Sequence, residues 1–364
     1  MSLFALQFLV TNILFSLLIA LCLIRLDKKC DHSGPRLLLY SLGLGPIVTT
    51  LLLYYLFLFV PGKSDVFYLI VVGFVYGGLA VVGRRQWRRL GGEVQDILKK
   101  NRLRYAGLNA AAKMGTAAFV IVLTSALALF LFIFLTKTIH IPLDDSDALQ
   151  YGTQGKMLYR EKSLEYRWIN PDPKTGHYSR IHHAPSFSLL LTWDKMTAGL
   201  FKADQDVYFK STSAYYALLI LIGAVAGLAR RSKAAALAAV IVLLSAFPFF
   251  ITLFQQHLDS FRIYFLLASW ICLAFLIEKD DLLSFVLFGL FTGFASFAHT
   301  IGAICAIFNV AAYLLFVRRA WPDRLRKTCI LVGFVFAFGW IHYLLDIVWG
   351  LGWIVFHRAH TYWG

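Results

Sequence analysis

Asp144, Asp145 and Asp147 put three carboxylates within four residues, and Tyr151 follows one helical turn later. Acids this close repel one another unless a cation, a basic side chain or a hydroxyl-bearing substrate sits among them. Such a cluster suits a general base, or a pair of ligands for a divalent cation bridging a phosphate, with Asp145 and Asp147 as the metal candidates and Mg or Mn as the ion. The same residues also suit the N-cap and acidic first turn of a helix over 147–160, and spacing leaves both readings open.

The polar stretch runs on to Pro185. It supplies cations and aromatics in GKMLYREKSLEYRWINPDPKTGHYSRIHHAPS, among them Arg160, Lys162, Arg167, His177, Arg180, His182 and His183. Arg and Lys contact phosphate oxygens, while Tyr and Trp sit at headgroup level, so this composition suits a phosphate anchored in lipid. It equally suits plain interface anchoring. His182 and His183 are adjacent and point apart in an extended segment, which argues against a shared metal. Two further polar groups interrupt apolar sequence: QQHLDSFR at 255–262, with Asp259 within a turn of His257 and Arg262, and the turn at His299-Thr300. Ionisable residues beside hydrocarbon are costly and often functional.

These residues need elements to hold them, and the composition decides which kind. With 59% apolar and only 15% charged residues over 364 positions, the chain is expected to be an all-α polytopic membrane protein. Ten apolar stretches are near spanning length: 3–24, 37–60, 66–83, 115–136, 207–229, 234–254, 261–277, 282–298, 300–317 and 328–349. The net charge of +15 does not imply nucleic acid, because Lys and Arg fall in short runs beside these stretches. Alternate connections hold most of them: Arg25, Lys28, Lys29 and Arg36; nine in 84–113; Arg230, Arg231 and Lys233; Lys279; then Arg318, Arg319, Arg324, Arg326 and Lys327. The opposite short loops hold Lys63 and Arg262. The basic side is cytoplasmic by the positive-inside rule, so the loop over 137–206, Asp259 and His299 are expected to share the extracytoplasmic face. Localisation to the inner membrane of a prokaryote follows as the expectation.

Arg84 to Lys113 reads as an interfacial helix on anionic lipid that also anchors topology. SFSLLLTWDKMTAGLF, at 186–201, is short and interrupted by Asp194 and Lys195, and reads as an interfacial helix. The five cysteines form no CxxC or Cys/His pattern, which excludes a disulfide framework and a zinc site. The N-terminal apolar run has no basic leader or small-residue cleavage site and reads as a retained helix. A boundary near residue 114 separates three leading spans, 1–113, from seven later ones, 114–364.

At these residues the chain resembles the polytopic C-type glycosyltransferases, in particular the protein O-mannosyltransferases and the lipid A aminoarabinose transferase. In those proteins a first outer loop opens with acids, often followed by a Tyr and an amphipathic helix ending near a Met, and PLDDSDALQYGTQGKML at 142–158 is similar. The loop closes with a basic residue, small residues or prolines and an apolar helix; His183-Ala184-Pro185 and SFSLLLTW fit, with His183 where relatives commonly have Lys. Asp259 matches a later Asp at the outer start of a span, and His299 ahead of Gly302 a basic residue in an outer turn. The likeness covers about 115–350. The three leading spans depart from the pattern, and so does the ending at HRAHTYWG, without the further helices or outer domain of many relatives, which leaves room for a partner subunit.

The resemblance implies transfer of a sugar from a polyprenyl-phosphate donor to a glycan, lipid or protein acceptor, usually with inversion. Asp145 or Asp147 would be the base, with Asp144 assisting. Tyr151, Arg160, Arg180, His182, His183, Asp259, Arg262 and His299 would serve the donor phosphate or substrate. A transporter or flippase of a lipid-linked saccharide, or a non-catalytic subunit of a glycan-assembly complex, is the alternative.

Overall fold

The computed structural model describes residues 3–24, 26, 40–136, 146–164, 184–198, 204–229, 232–245, 259–278, 281–317 and 320–348. Among the described residues the secondary structure is helical, with no strand. The elements are α1 (Leu3–Leu9), α2 (Phe15–Ile24), α3 (Leu44–Phe59), α4 (Asp65–Gly83), α5 (Gln86–Ala106), α6 (Ala110–Thr136), α7 (Ser146–Glu161), α8 (Ser186–Ala198), α9 (Asp204–Ala229), α10 (Lys233–Ser245), α11 (Asp259–Glu278), α12 (Leu282–Ala298), α13 (Thr300–Phe316), α14 (Trp321–Val335) and α15 (Ile341–Val348). Wider π-helical turns join α1 to α2 at Val10–Leu14 and α14 to α15 at Phe336–Trp340.

Among the described residues, five helical stretches are long and apolar enough to cross a membrane: Leu6–Ile24, Asp65–Gly83, Ala110–Leu129, Ser260–Glu278 and Trp321–Leu345. Shorter apolar helices occupy Leu44–Phe59, Ser211–Val225, Ala234–Leu243, Leu282–Ala298 and Thr300–Phe316. Large apolar side chains point outward along these rods, including Phe74 and Val81 on α4 and Ile121 and Phe132 on α6. The Ala110–Leu129 stretch is only 6% buried, which suits contact with hydrocarbon rather than water.

Local chemistry sets several helix ends. Ser64 caps α4 by accepting from the Phe67 N–H, and Asp281 caps α12 by accepting from the Ser284 N–H at 2.8 Å. Gly62, at φ +71°, makes the left-handed turn between α3 and α4 that a side chain would strain. The last helical rod begins at Trp321, earlier than the expected 328, because Pro322 suits a first turn and Asp323 pairs there with Arg326 at 2.7 Å. Arg324, Arg326 and Lys327 therefore ride on a helix instead of a loop.

The expected single stretch 37–60 is broken. The chain turns at Leu42 and Gly43 before α3 begins. The freed backbone groups are satisfied by side chains from far away: Tyr216 donates to the Gly43 carbonyl at 2.9 Å, Tyr215 and Ser16 each donate to the Leu42 carbonyl at 2.6 Å, and the Gly45 N–H donates to Ser16 Oγ at 2.8 Å. In an apolar run such a break persists only where protein, not lipid, supplies such partners.

One continuous buried apolar cluster runs from Leu18 on α2 through α3, α4, α7, α8, α9, α11 and α12 to Leu331 on α14, so the leading helices and the later ones share a core. α12 is buried along most of its length against α11, α13 and α14. Its Gly289 and Gly293 lie against Phe334 and Phe338, and a Cβ at Gly339 would come within 2.5 Å of the Gly293 carbonyl oxygen. Small residues four apart let helix backbones approach where no water drives association. Asn309 on α13 adds polar glue: it accepts from Trp270 Nε1 at 3.0 Å and donates to Ser269 Oγ at 3.0 Å and Thr292 Oγ1 at 3.3 Å.

Candidate functional site

α7 carries the residues that follow the acid cluster, and α8 positions it. Every residue from Ala184 to Asp194 is buried. The sequence alone suggested that this apolar stretch lies in the interface; the helix is instead enclosed by α1, α3, α4, α7, α9 and α12. Its hydroxyls clasp α7. Ser188 donates to Gln154 Oε1 at 2.6 Å and to the Tyr151 carbonyl at 3.2 Å, and Thr192 donates to the Gly155 carbonyl at 3.0 Å. Gly155 permits this approach, since a Cβ there would lie 3.0 Å from the Ser188 carbonyl oxygen and 3.1 Å from Leu191 Cβ. On the far side, Gln7 donates to Asp194 Oδ1 at 2.6 Å and Trp193 Nε1 donates to Thr11 Oγ1 at 2.9 Å.

The contacts pair Tyr151 with Phe187, Gly155 with Leu191 and Tyr159 with Lys195. The offset is the same each time, so α7 and α8 run parallel, side by side.

At one end of this pair, an aromatic series leads from Tyr151 to the start of α11. The Tyr151 ring meets Phe187 edge-on at 6.1 Å, Phe187 meets Phe261 at 6.0 Å, and Phe261 meets Tyr216 at 4.7 Å. Arg262 follows Phe261, and its guanidinium lies 3.4 Å from His299 Nε2 and 3.5 Å from Nδ1. His299 is nearly buried and caps α13, with Nδ1 accepting from the Ile301 N–H at 3.0 Å. That acceptance assigns the neutral ring's proton to Nε2. A guanidinium and an imidazole N–H, 37 residues apart in sequence, thus form one donor group that suits a phosphate oxygen.

Of the residues singled out from sequence, Arg262 and His299 are brought into contact, and Tyr151 is joined to them through Phe187 and Phe261. Arg160 is not brought to this group: it lies at the other end of α7, its side chain 87% exposed beside Glu161. Asp147 belongs to α7, four residues before Tyr151, and Asp259 opens α11, but neither side chain is among those described. Asp144, Asp145, Arg180, His182 and His183 lie outside the described residues, as does the cation position expected at Asp145 and Asp147. Among the described residues no three His, Cys, Asp or Glu side chains converge to hold a metal ion.

Sequence reasoning missed a second charged group at the opposite end of α7 and α8. Asp65, in the first turn of α4, pairs with Lys162 at 2.8 Å and accepts from the Tyr159 hydroxyl at 2.8 Å. Lys162 adopts a left-handed backbone (φ +50°), its carbonyl accepts from the Gly62 N–H at 3.1 Å, and its ammonium also donates to the Tyr159 carbonyl. The Asp65 hydrogen bond, then burial, raise the Tyr159 phenol above its ordinary value. Lys63-Ser64-Asp65 hinted at this only as a short charged turn.

No family model matches the chain, and neither a curated protein nor a solved structure matches it.

Proposed function

We propose that the protein is a membrane glycosyltransferase that moves a sugar from a polyprenyl-phosphate donor to a glycan, lipid or protein acceptor on the extracytoplasmic face, with inversion at the anomeric carbon. The observation that carries this reading is the contact of Arg262 with His299, linked through Phe261 and Phe187 to Tyr151, one turn beyond Asp147. Arg262 and His299 come from two separate polar intervals of a greasy chain, and Tyr151 from a third is connected to them by two ring contacts. The likeness of 142–158 and 183–193 to the C-type glycosyltransferases supports it from the sequence side.

In this reading Asp145 or Asp147 accepts the proton of an acceptor hydroxyl. The oxygen attacks the anomeric carbon on the face opposite the phosphate, the carbon–phosphate-oxygen bond breaks, and the polyprenyl phosphate departs with the bonding pair. Arg262 and His299 donate to the oxygens on which that charge collects. The lipid tail runs between helices while the sugar stays at the helix ends. The ten apolar helices are then ten spans, both termini of the chain lie outside, and residues 114–364 form the catalytic module. An inner membrane with the site facing outward is the corresponding location.

A transporter or flippase of a lipid-linked saccharide is the second reading, favoured by the break at Leu42–Gly43 and by the buried Asp194 and His342. The break's carbonyls, however, are closed by Tyr215, Tyr216 and Ser16, and Asp194 is held by Gln7, which is what a rigid scaffold uses. The test is transfer from radiolabelled polyprenyl-phosphate sugars in vesicles without any ion gradient. Asp145→Asn and Asp147→Asn proteins are compared with the parent chain. Loss in either variant is expected, and near-normal turnover in both removes the proposal.

A further inference from the structure

We infer that α5 is a docking helix for anionic phospholipid: it lies along the bilayer surface with Trp87, Leu98 and Tyr105 set among the headgroups and the cations beside them on lipid phosphate. This role is independent of the glycosyltransferase reading.

The helices on either side fix how α5 can lie. α4 and α6 each contain a stretch long and apolar enough to cross a membrane, Asp65–Gly83 and Ala110–Leu129, and α5 takes up Gln86–Ala106 between them. Its 21 residues make a rod about 31 Å long. The four steps from Ala106 to Ala110 reach at most roughly 14 Å. A rod standing upright on the end of α4 would carry Ala106 about 30 Å from the bilayer, too far for α6 to enter it four residues later. Nor does α5 fold back on a span: among the described residues it packs against α2, not along α4 or α6. It therefore runs along the surface. Val81 and Val82 at the end of α4, and Met114 at the start of α6, are exposed, so apolar surface resumes on both sides of it.

Around the helix the chemistry is sorted. Trp87, Leu98 and Tyr105 are 44%, 63% and 44% exposed and stand eleven and seven residues apart. At 3.6 residues per turn they fall within about 20° of one another, in one line about 27 Å long. An exposed indole and phenol with a leucine between them suit the headgroup layer. Arg88, Lys99 and Arg102 stand to one side of that line and Lys100 and Arg104 to the other, all exposed. Their apolar stems can lie along the surface while the charged heads reach phosphate. Residues 84–113 hold nine Lys and Arg against Glu93 and Asp96. That excess selects an anionic surface over a neutral bilayer or an apolar groove on another protein. Bare topology anchoring is the competing explanation, and it predicts neither a preferred face nor a dependence on lipid charge.

The experiment uses the full chain in nanodiscs of phosphatidylcholine, with or without phosphatidylglycerol, the lipids brominated near the headgroup end of their acyl chains. A fluorescent coumarin amino acid is placed at Leu98, on the line, or at Leu103, about 150° around the helix and 65% exposed. With phosphatidylglycerol, bromine should quench position 98 at least about threefold more than position 103, and the ratio should fall toward one in phosphatidylcholine alone or at about 0.5 M salt. Lys99→Gln, Lys100→Gln and Arg104→Gln combined should abolish the gain from phosphatidylglycerol while Tm stays within about 2 °C, as surface changes do. A ratio near one in both bilayers overturns the proposal and leaves this face to a protein partner. So does a ratio that is the same with and without phosphatidylglycerol, or one that the triple variant leaves unaltered.

Discussion

Substitution of Gly155 tests whether α8 sets the position of α7 by direct backbone approach. Gly155→Ala introduces a Cβ 3.0 Å from a backbone carbonyl oxygen and 3.1 Å from Leu191 Cβ, and α8 is enclosed by other helices and cannot retreat. Overpacking of this kind costs about 1–3 kcal/mol. Alanine returns about 0.5–1 kcal/mol over glycine within a helix, so the net loss is about 1.5 kcal/mol. Spread over the unfolding entropy typical of 364 residues, ~2.1 cal/mol/K each, that is about 2 °C in Tm. Gly155→Leu, with three more carbons to place, should lose about 4 kcal/mol, or about 5 °C. Gly91→Ala on α5 has nothing within 4 Å of its new Cβ and provides the opposite sign, a small gain. The assay is thermal unfolding of the three variants in one detergent, followed by a thiol-reactive dye or by size-exclusion fluorescence. If Gly155→Ala gains stability as Gly91→Ala does, the clasp described for α7 and α8 is wrong.

His299→Asn keeps an N-cap acceptor for the Ile301 N–H but removes the imidazole, so Tm should stay within about 2 °C while sugar transfer falls at least tenfold; His299→Ala should lose about 1 kcal/mol of stability as well, read in the same thermal and transfer assays. Asn309→Leu removes the acceptor of Trp270 and the donor to Ser269 and Thr292, and should cost about 2 kcal/mol in a denaturant titration; an unchanged midpoint would contradict the network. Gly43→Ala places a Cβ 2.1 Å from the Tyr264 ring and should largely abolish folded yield, with partial recovery in Gly43→Ala combined with Tyr264→Leu. Lys195 holds its proton less well folded than unfolded, so between about pH 8 and 10.5 the unfolded chain binds more protons and stability rises with pH, by about 1 kcal/mol after allowance for solvent screening. Below pH 8 both states are protonated and the penalty is constant; Lys195→Gln should flatten the rise in Tm across that window.

The helices were legible in the sequence because a helix that meets lipid must satisfy its own backbone and show apolar side chains over its length, both local properties. The apolar helices accordingly fall where runs of about 20 apolar residues fall, and α7 and α8 lie at the two ends of the polar stretch that begins with the acids. Arg262 and His299 were recognisable as charges beside hydrocarbon, and the alternation of basic loops suggested a common face for them. What only the tertiary structure decided is which surfaces touch. The break at Gly43 looks like any small residue in an apolar run until Tyr215 and Tyr216, more than 170 residues on, close its carbonyls. The stretch 186–201 reads as an interfacial helix because hydropathy does not distinguish lipid from protein, both being apolar; packing of α8 against α1, α3 and α7 is what buries that helix. Asp65 and Lys162 are nearly 100 residues apart and each is unremarkable alone, so their pairing, and the crowding of Lys195 beside them, exists only once parallel α7 and α8 bring their ends to the first turn of α4.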